Sequence, residues 1–256
     1  MILNYKAFGE GFPVIILHGL LGSLDNWQTI AKKLSEHFRV YIIDQRNHGK
    51  SPHSAAFNYD LLAADLLELY KVHHISRAHL IGHSMGGKTV MHFALNYPDY
   101  VGGLVVVDIT PSEYGDYHQH VFRALLNAKS EEANEREEVA ASLRKSLKDE
   151  TTVQFLMKGL VRDANGEHFE WKFNLKSLYE NYGEISRSLQ SSHPFQGPTL
   201  FIKGEKSNYI NASNYSALES IFPNNHLAEI KGAGHWVHAD KPVEFIAEVE
   251  RFLQTI

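Results

Sequence analysis

The sequence predicts an α/β fold: a mostly parallel central sheet flanked by helices, with a helical lid inserted late in the chain. Three observations predict it. Short apolar runs alternate with stretches of helical periodicity, the order that builds a parallel sheet wrapped on both faces. A serine sits between two glycines, Gly82-His83-Ser84-Met85-Gly86, on a turn from strand to helix. The strand signal then disappears after Pro111 and returns near Pro194.

The elements follow in order. Asn4 to Gly11 reads as a short edge strand, and Pro13-Val14-Ile15-Ile16-Leu17 as a strand covered on both faces. Trp27, Ile30, Ala31 and Leu34 recur at helical spacing, with Asp25 placed to cap them. Arg39 to Ile43 is a second buried strand, and it runs into the polar turn Asp44 to Ser51. Asn58 opens a helix that buries Leu62, Leu66 and Leu69. Ala78 to Ile81 is the strand before the Ser84 turn, Gly87 to Ala94 the helix after it, and Gly103 to Val107 the next strand. From 111 to 193 the pattern is helical, over Tyr114–Lys129, Glu131–Lys148, Val153–Leu160 and Leu175–Leu189, with no buried strand. Pro198 to Ile202 resumes the sheet. A helix from Asn211, a strand Asn225 to Ile230 and a last helix begun by Asp240 and Pro242 complete it. Residues 1–110 and 194–256 are thus expected to form one core, and 111–193 a lid.

Composition narrows the function. The chain has 256 residues, 43% hydrophobic content, a net charge of -5 and no cysteine. Mild acidity gives no case for nucleic acid as a partner. Absence of cysteine removes thiolate chemistry and cysteine metal sites, and suits a cytoplasmic location. No apolar run approaches a membrane span, and the N-terminus shows no signal peptide. No set of His, Asp or Glu has metal-ligand spacing, and no glycine-rich loop matches a nucleotide fingerprint, so neither metal nor cofactor is expected. Oligomeric state is not legible in the residues.

The turn at Ser84 has the pattern of a nucleophile elbow. Its tightness needs glycine two places to either side, and it stands the hydroxyl clear of the sheet. Serine needs a base, and His235, in Gly232-Ala233-Gly234-His235 after the last strand, follows the chain order of such sites. The base needs a carboxylate. The usual position, after the strand Thr199 to Ile202, holds Ser207 and Asn208 rather than aspartate. Asp108, at the end of the preceding strand, is the chosen acid, with Glu205 the alternative. Asp108 also suits a helix cap. An oxyanion needs two donors held in advance: the N–H of Met85, and that of Leu20 in His18-Gly19-Leu20-Leu21. His18, Asp44 and Arg46 read as structural, tying the loops at the top of the sheet.

On these residues the chain resembles the α/β-hydrolase fold superfamily over essentially its whole length. Gly82 to Lys88, Val106-Val107-Asp108-Ile109 followed by Pro111, and His235-Trp236-Val237-His238 make it similar to small bacterial esterases of the YbfF type. In that group the acid sits one strand earlier than is usual, which supports Asp108. The resemblance implies a serine esterase without cofactor, acting on short- to medium-chain acyl esters and extending to acyl thioesters. Leu21 and Trp236 are expected to wall the substrate pocket, and Trp236 also suits the core. Two other readings stay open: a ligand receptor with slow hydrolysis, and a carbon–carbon bond or thioester hydrolase on the same residues.

Overall fold

Runs with no polar residue can only be satisfied by cover on both faces, and that requirement places them at the centre of a sheet. The computed structural model describes all 256 residues. In chain order its strands are β1 (Tyr5–Phe8), β2 (Pro13–Leu17), β3 (Arg39–Ile43), β4 (Ala78–His83), β5 (Val101–Val107), β6 (Leu160–Arg162), β7 (Phe169–Trp171), β8 (Thr199–Gly204) and β9 (Asn225–Ile230). Seven form one sheet in the order β1-β3-β2-β4-β5-β8-β9. Only β1 is antiparallel to its neighbour. The chain moves outward from β2 to β3, then returns to β4 on the other side of β2. The order therefore reverses between β2 and β4, and a crevice opens at their carboxyl ends.

The helices are α1 (Gln28–Leu34), α2 (Tyr59–Val72), α3 (Met85–Asn96), α4 (Gln119–Asn127), α5 (Arg136–Ser146), α6 (Glu150–Met157), α7 (Leu175–Glu180), α8 (Tyr182–Ser186), α9 (Ala212–Ile221), α10 (Val237–Asp240) and α11 (Pro242–Leu253). Strand alternation divides the core. Val14 and Ile16 of β2 face α1 and α11, where Phe245, Val249 and Leu253 form one stripe. Ile15 and Leu17 face the opposite layer, with α2, α3 and the inserted helices. Each such side chain, fully buried, contributes about 1.5–3 kcal/mol. Asn58 caps α2 by accepting from the Leu61 N–H at 2.9 Å. Asp65 lies on the buried side of α2 because Arg46 meets it with two nitrogens, at 2.6 and 2.9 Å. Removing one partner of such a pair costs about 3–5 kcal/mol. Asp44, at the head of the same loop, accepts from the N–H groups of Leu24 (2.8 Å) and Lys50 (2.9 Å) and from the Asn4 amide (2.7 Å). The structural reading of Asp44 and Arg46 agrees with these contacts.

Three expectations change. The segment 111–193 carries a small antiparallel hairpin, β6 with β7, turning through Gly166 at φ 75°. Its strands have three residues each, too short for alternation to register. The stretch Leu175–Leu189 breaks into two short helices, α7 and α8. Asp25 caps nothing. The entry is a 3-10 turn, Leu24–Trp27, preceded by Ser23, whose N–H donates to the Asn26 side chain at 2.8 Å. Asp25 instead meets Lys6 of β1 (3.2 Å) and Lys172 of the insertion (3.1 Å).

The insertion leaves the core after β5, returns at β8, and is fastened to the sheet's own helices. The Tyr59 hydroxyl of α2 donates to the Ile185 carbonyl at 2.7 Å. Lys88 of α3 is fully buried, and its ammonium donates to the carbonyls of Ser186 (3.0 Å) and Arg187 and lies 4.8 Å over the Tyr114 ring. Burial pushes its pKa from 10.5 down to about 7. The unfolded chain keeps this proton well above pH 7, so unfolded molecules bind more protons between these values and stability rises with pH there. Denaturant midpoints at about pH 7 and about pH 9 are expected to show this rise in the wild type and a smaller rise in Lys88→Met.

Candidate active site

Ser84 closes β4 and opens α3 at φ 52° and ψ -117°, a conformation that non-glycine residues rarely hold. The two flanking glycines make it attainable. A Cβ on Gly82 would stand 2.2 Å from the Gly86 carbonyl oxygen, and one on Gly86 would stand 2.5 Å from those of Leu17 and His18. The clearance is thus needed between the two glycines, and between Gly86 and the end of β2. The sheet holds the turn: the Ser84 N–H donates to the Val107 carbonyl at 3.0 Å.

Asp108 leaves β5 at φ 53° and is wholly buried. Its N–H donates to the Ile202 carbonyl of β8 at 2.8 Å. Its carboxylate accepts from the Gly204 N–H at 3.2 Å, from the Ser207 hydroxyl, and from His235 Nδ1 at 2.7 Å. Ser207, in the loop where the sequence lacks an aspartate, is therefore a donor to this carboxylate. Glu205 turns elsewhere and accepts from the Gly232 N–H at 2.7 Å. With Nδ1 donating to Asp108, the free nitrogen of His235 is Nε2. Asp240 braces this loop by accepting the Gly234 N–H at 2.7 Å, a role different from the helix start read in the sequence.

The loop after β2 supplies the other wall. His18 fixes it: Nε2 accepts from the Gln45 N–H at 3.0 Å, and Nδ1 meets the Gly19 carbonyl at 2.8 Å. The Leu21 N–H is taken by His48 Nε2 at 3.2 Å, with Leu21 at φ 61°. The Leu20 N–H, one residue earlier, takes no part in this bracing. Met85 begins α3, so its N–H has no intrahelical acceptor. Burial pushes the pKa of His18, and still more that of His48, below the ordinary 6.5, which keeps both rings neutral.

A cavity of about 680 Å³ joins these parts, a volume suited to a small molecule. His18 to Leu21, Ser84 and His235 line its floor, and α4, α6 and the loop to α9 line its walls. Leu21 and Trp236 both line it, and half-buried Trp236 lies 5.3 Å from Phe155 of α6. Four residues entered no sequence-based assignment. His83 Nε2 donates to the His235 carbonyl at 2.9 Å and so ties the His235 loop to the residue before Ser84. Tyr209 stacks on His235 with ring centroids 4.3 Å apart. His118 stands beside Tyr209, and His238 stacks on Trp27 at 4.0 Å. Only His83 and His238 fall inside motifs that the sequence singles out. No group of His, Asp or Glu in the chain is arranged to hold a metal ion.

Residues 13–242 match the family model described as alpha/beta hydrolase fold. The chain is 38% identical to the sn-1-specific diacylglycerol lipase ABHD11 of Danio rerio, over 98% of this chain and 82% of that one. It is 36% identical to the esterase YbfF of Escherichia coli K12, over 94% of this chain and 92% of that one. Among solved structures, a marine microorganism esterase superposes with a TM-score of 0.95 at 39% identity, covering 98% of this chain and 99% of that one.

The short charge-assisted contact between His235 and Asp108 is expected to carry its Nδ1 proton far downfield in proton NMR. Ser207→Ala, which removes a donor to the same carboxylate oxygen, should move that resonance. Glu205→Gln should leave it in place.

Proposed function

This chain belongs to the alpha/beta hydrolase fold family and is an esterase-type hydrolase, and we propose that it cleaves short- to medium-chain acyl esters through an acyl-enzyme on Ser84. The reading extends to acyl thioesters, whose carbonyl presents the same target. The observation that carries it is the Asp108–His235 pair at 2.7 Å, opening onto the cavity that Ser84 also lines.

In the proposed reaction His235 Nε2 takes the proton of the Ser84 hydroxyl as Oγ attacks the carbonyl carbon. Asp108 holds the tautomer that leaves Nε2 free, and its charge stabilises the imidazolium that forms. The carbonyl oxygen, now negative, is met by the Leu20 and Met85 N–H groups, fixed before the substrate arrives. The carbon–oxygen bond to the alcohol breaks, and His235 returns the proton to the departing oxygen. Water then repeats the sequence on the acyl-enzyme and releases the acid.

The segment 111–193 acts in this reading as a lid. Its α4 and α6 supply Val121, Phe155 and Leu156 to the cavity, an apolar wall for an acyl chain, joined by Leu21 and Trp236. No helix is long and apolar enough to cross a membrane. The reading takes a small-molecule substrate, no nucleic acid and no cofactor, and places the enzyme in the cytoplasm.

Hydrolysis of p-nitrophenyl butyrate tests the assignment. Ser84→Ala is expected to lower kcat by about 10⁴-fold or more, and undiminished turnover ends the proposal. Asp108→Asn should lower kcat by about 10⁴-fold, since the amide favours the wrong tautomer. Glu205→Gln should stay within about twofold, because an exposed side chain elsewhere in the loop leaves the charge at His235 unaltered.

A further inference from the structure

His118, just before α4, lines the cavity beside Tyr209. Its main-chain N–H and its Nδ1 both meet the Tyr182 hydroxyl oxygen, at 3.2 and 3.1 Å. That hydroxyl has one proton, and it goes to the Gly115 carbonyl at 3.1 Å. Nδ1 must therefore carry the ring hydrogen and donate it. Burial, with His235 and His120 adding to it, pushes the His118 pKa down to about 3, so the ring is neutral. Its Nε2 is a bare acceptor. The nearest donor is the Tyr209 hydroxyl, 3.5 Å away, at the outer limit of a hydrogen bond. A lone pair and a hydroxyl proton thus stand side by side in the cavity wall, each weakly used.

Their place in the site gives them meaning. Tyr209 stacks on His235, and His118 lies one ring beyond it. In ester cleavage the base delivers its proton to the departing alcohol, so that alcohol lies against His235. A hydroxyl carried on the same alcohol can donate to His118 Nε2 and accept from Tyr209. We propose that His118 and Tyr209 form a subsite for a hydroxylated leaving group, which makes partial esters of a polyol the preferred substrates over simple alkyl esters. The proposal rests on the ester-hydrolase reading above and deepens it.

Glyceryl 1-monobutyrate and propyl butyrate share an acyl group and differ only in the hydroxyls of the alcohol. The subsite predicts kcat/KM at least about tenfold higher for the glyceryl ester, because a site built to bond a hydroxyl discriminates against its absence. His118→Phe keeps an aromatic ring among Tyr114, Tyr182 and Tyr209 but removes the acceptor. Tyr209→Phe keeps the stack on His235 but removes the donor. Each is expected to lower the glyceryl-to-propyl ratio about tenfold. Equal kcat/KM for the two esters in the wild type overturns the subsite and leaves the esterase reading standing. So do variants that lower both esters by the same factor. If neither ester is cleaved in a Ser84-dependent way, the esterase reading itself falls. Should His118→Phe fail to fold, Tyr209→Phe carries the same test alone.

Discussion

A strained turn at the end of the central strand governs this molecule. Ser84 holds a positive φ, and two neighbours at the ends of adjacent strands do the same: Leu21 at 61° after β2 and Asp108 at 53° after β5. Such conformations cost of order 1–3 kcal/mol each and persist only where surrounding structure leaves no alternative. Here the sheet is that structure. The N–H of Ser84 is taken by β5 and that of Asp108 by β8, so each turn is pinned by the next strand. The loop after β2, Ser84 and Asp108 are in this way spaced by the sheet's own lattice, with β2, β4 and β5 as consecutive members.

Electrostatics around His235 follow from the same packing. His83 and His238 lie within 5 Å of His235 or of each other, ring centre to ring centre. Charges on them would work against an imidazolium at His235. Burial presses both well below the ordinary histidine pKa, that of His238 to about 3, so they stay neutral. His83 contributes instead through its N–H, and His18 and His48 through bare nitrogens that accept backbone donors. A chain with 16 histidines thus presents, at this site, one ring coupled to a carboxylate and several that serve as neutral braces.

Much of this was legible because strand ends are legible. Ser84, His235, Asp108, Leu20 and Met85 each sit within a few residues of an apolar run, and period and turn composition locate such positions well. Contacts closed over long separations were not. His83 reaches a carbonyl 152 residues away, and Tyr182 fixes the tautomer of a histidine 64 residues earlier. Nothing local in either stretch encodes that meeting. Ser207 was visible only as a missing aspartate, and its bond to Asp108 emerges only when β5 and β8 lie side by side. The β6–β7 hairpin escaped for a different reason: three-residue strands hold less than two periods of alternation.

The bond between Ser207 and Asp108 joins the loop after β8 to the end of β5. Positions 108 and 207 touch the same carboxylate oxygen that meets His235, one from the end of β5 and one from the loop after β8. The loop after β8 thus reaches His235 through one atom of a residue 99 positions before Ser207. A shift of that loop is therefore passed to the imidazole across a single oxygen.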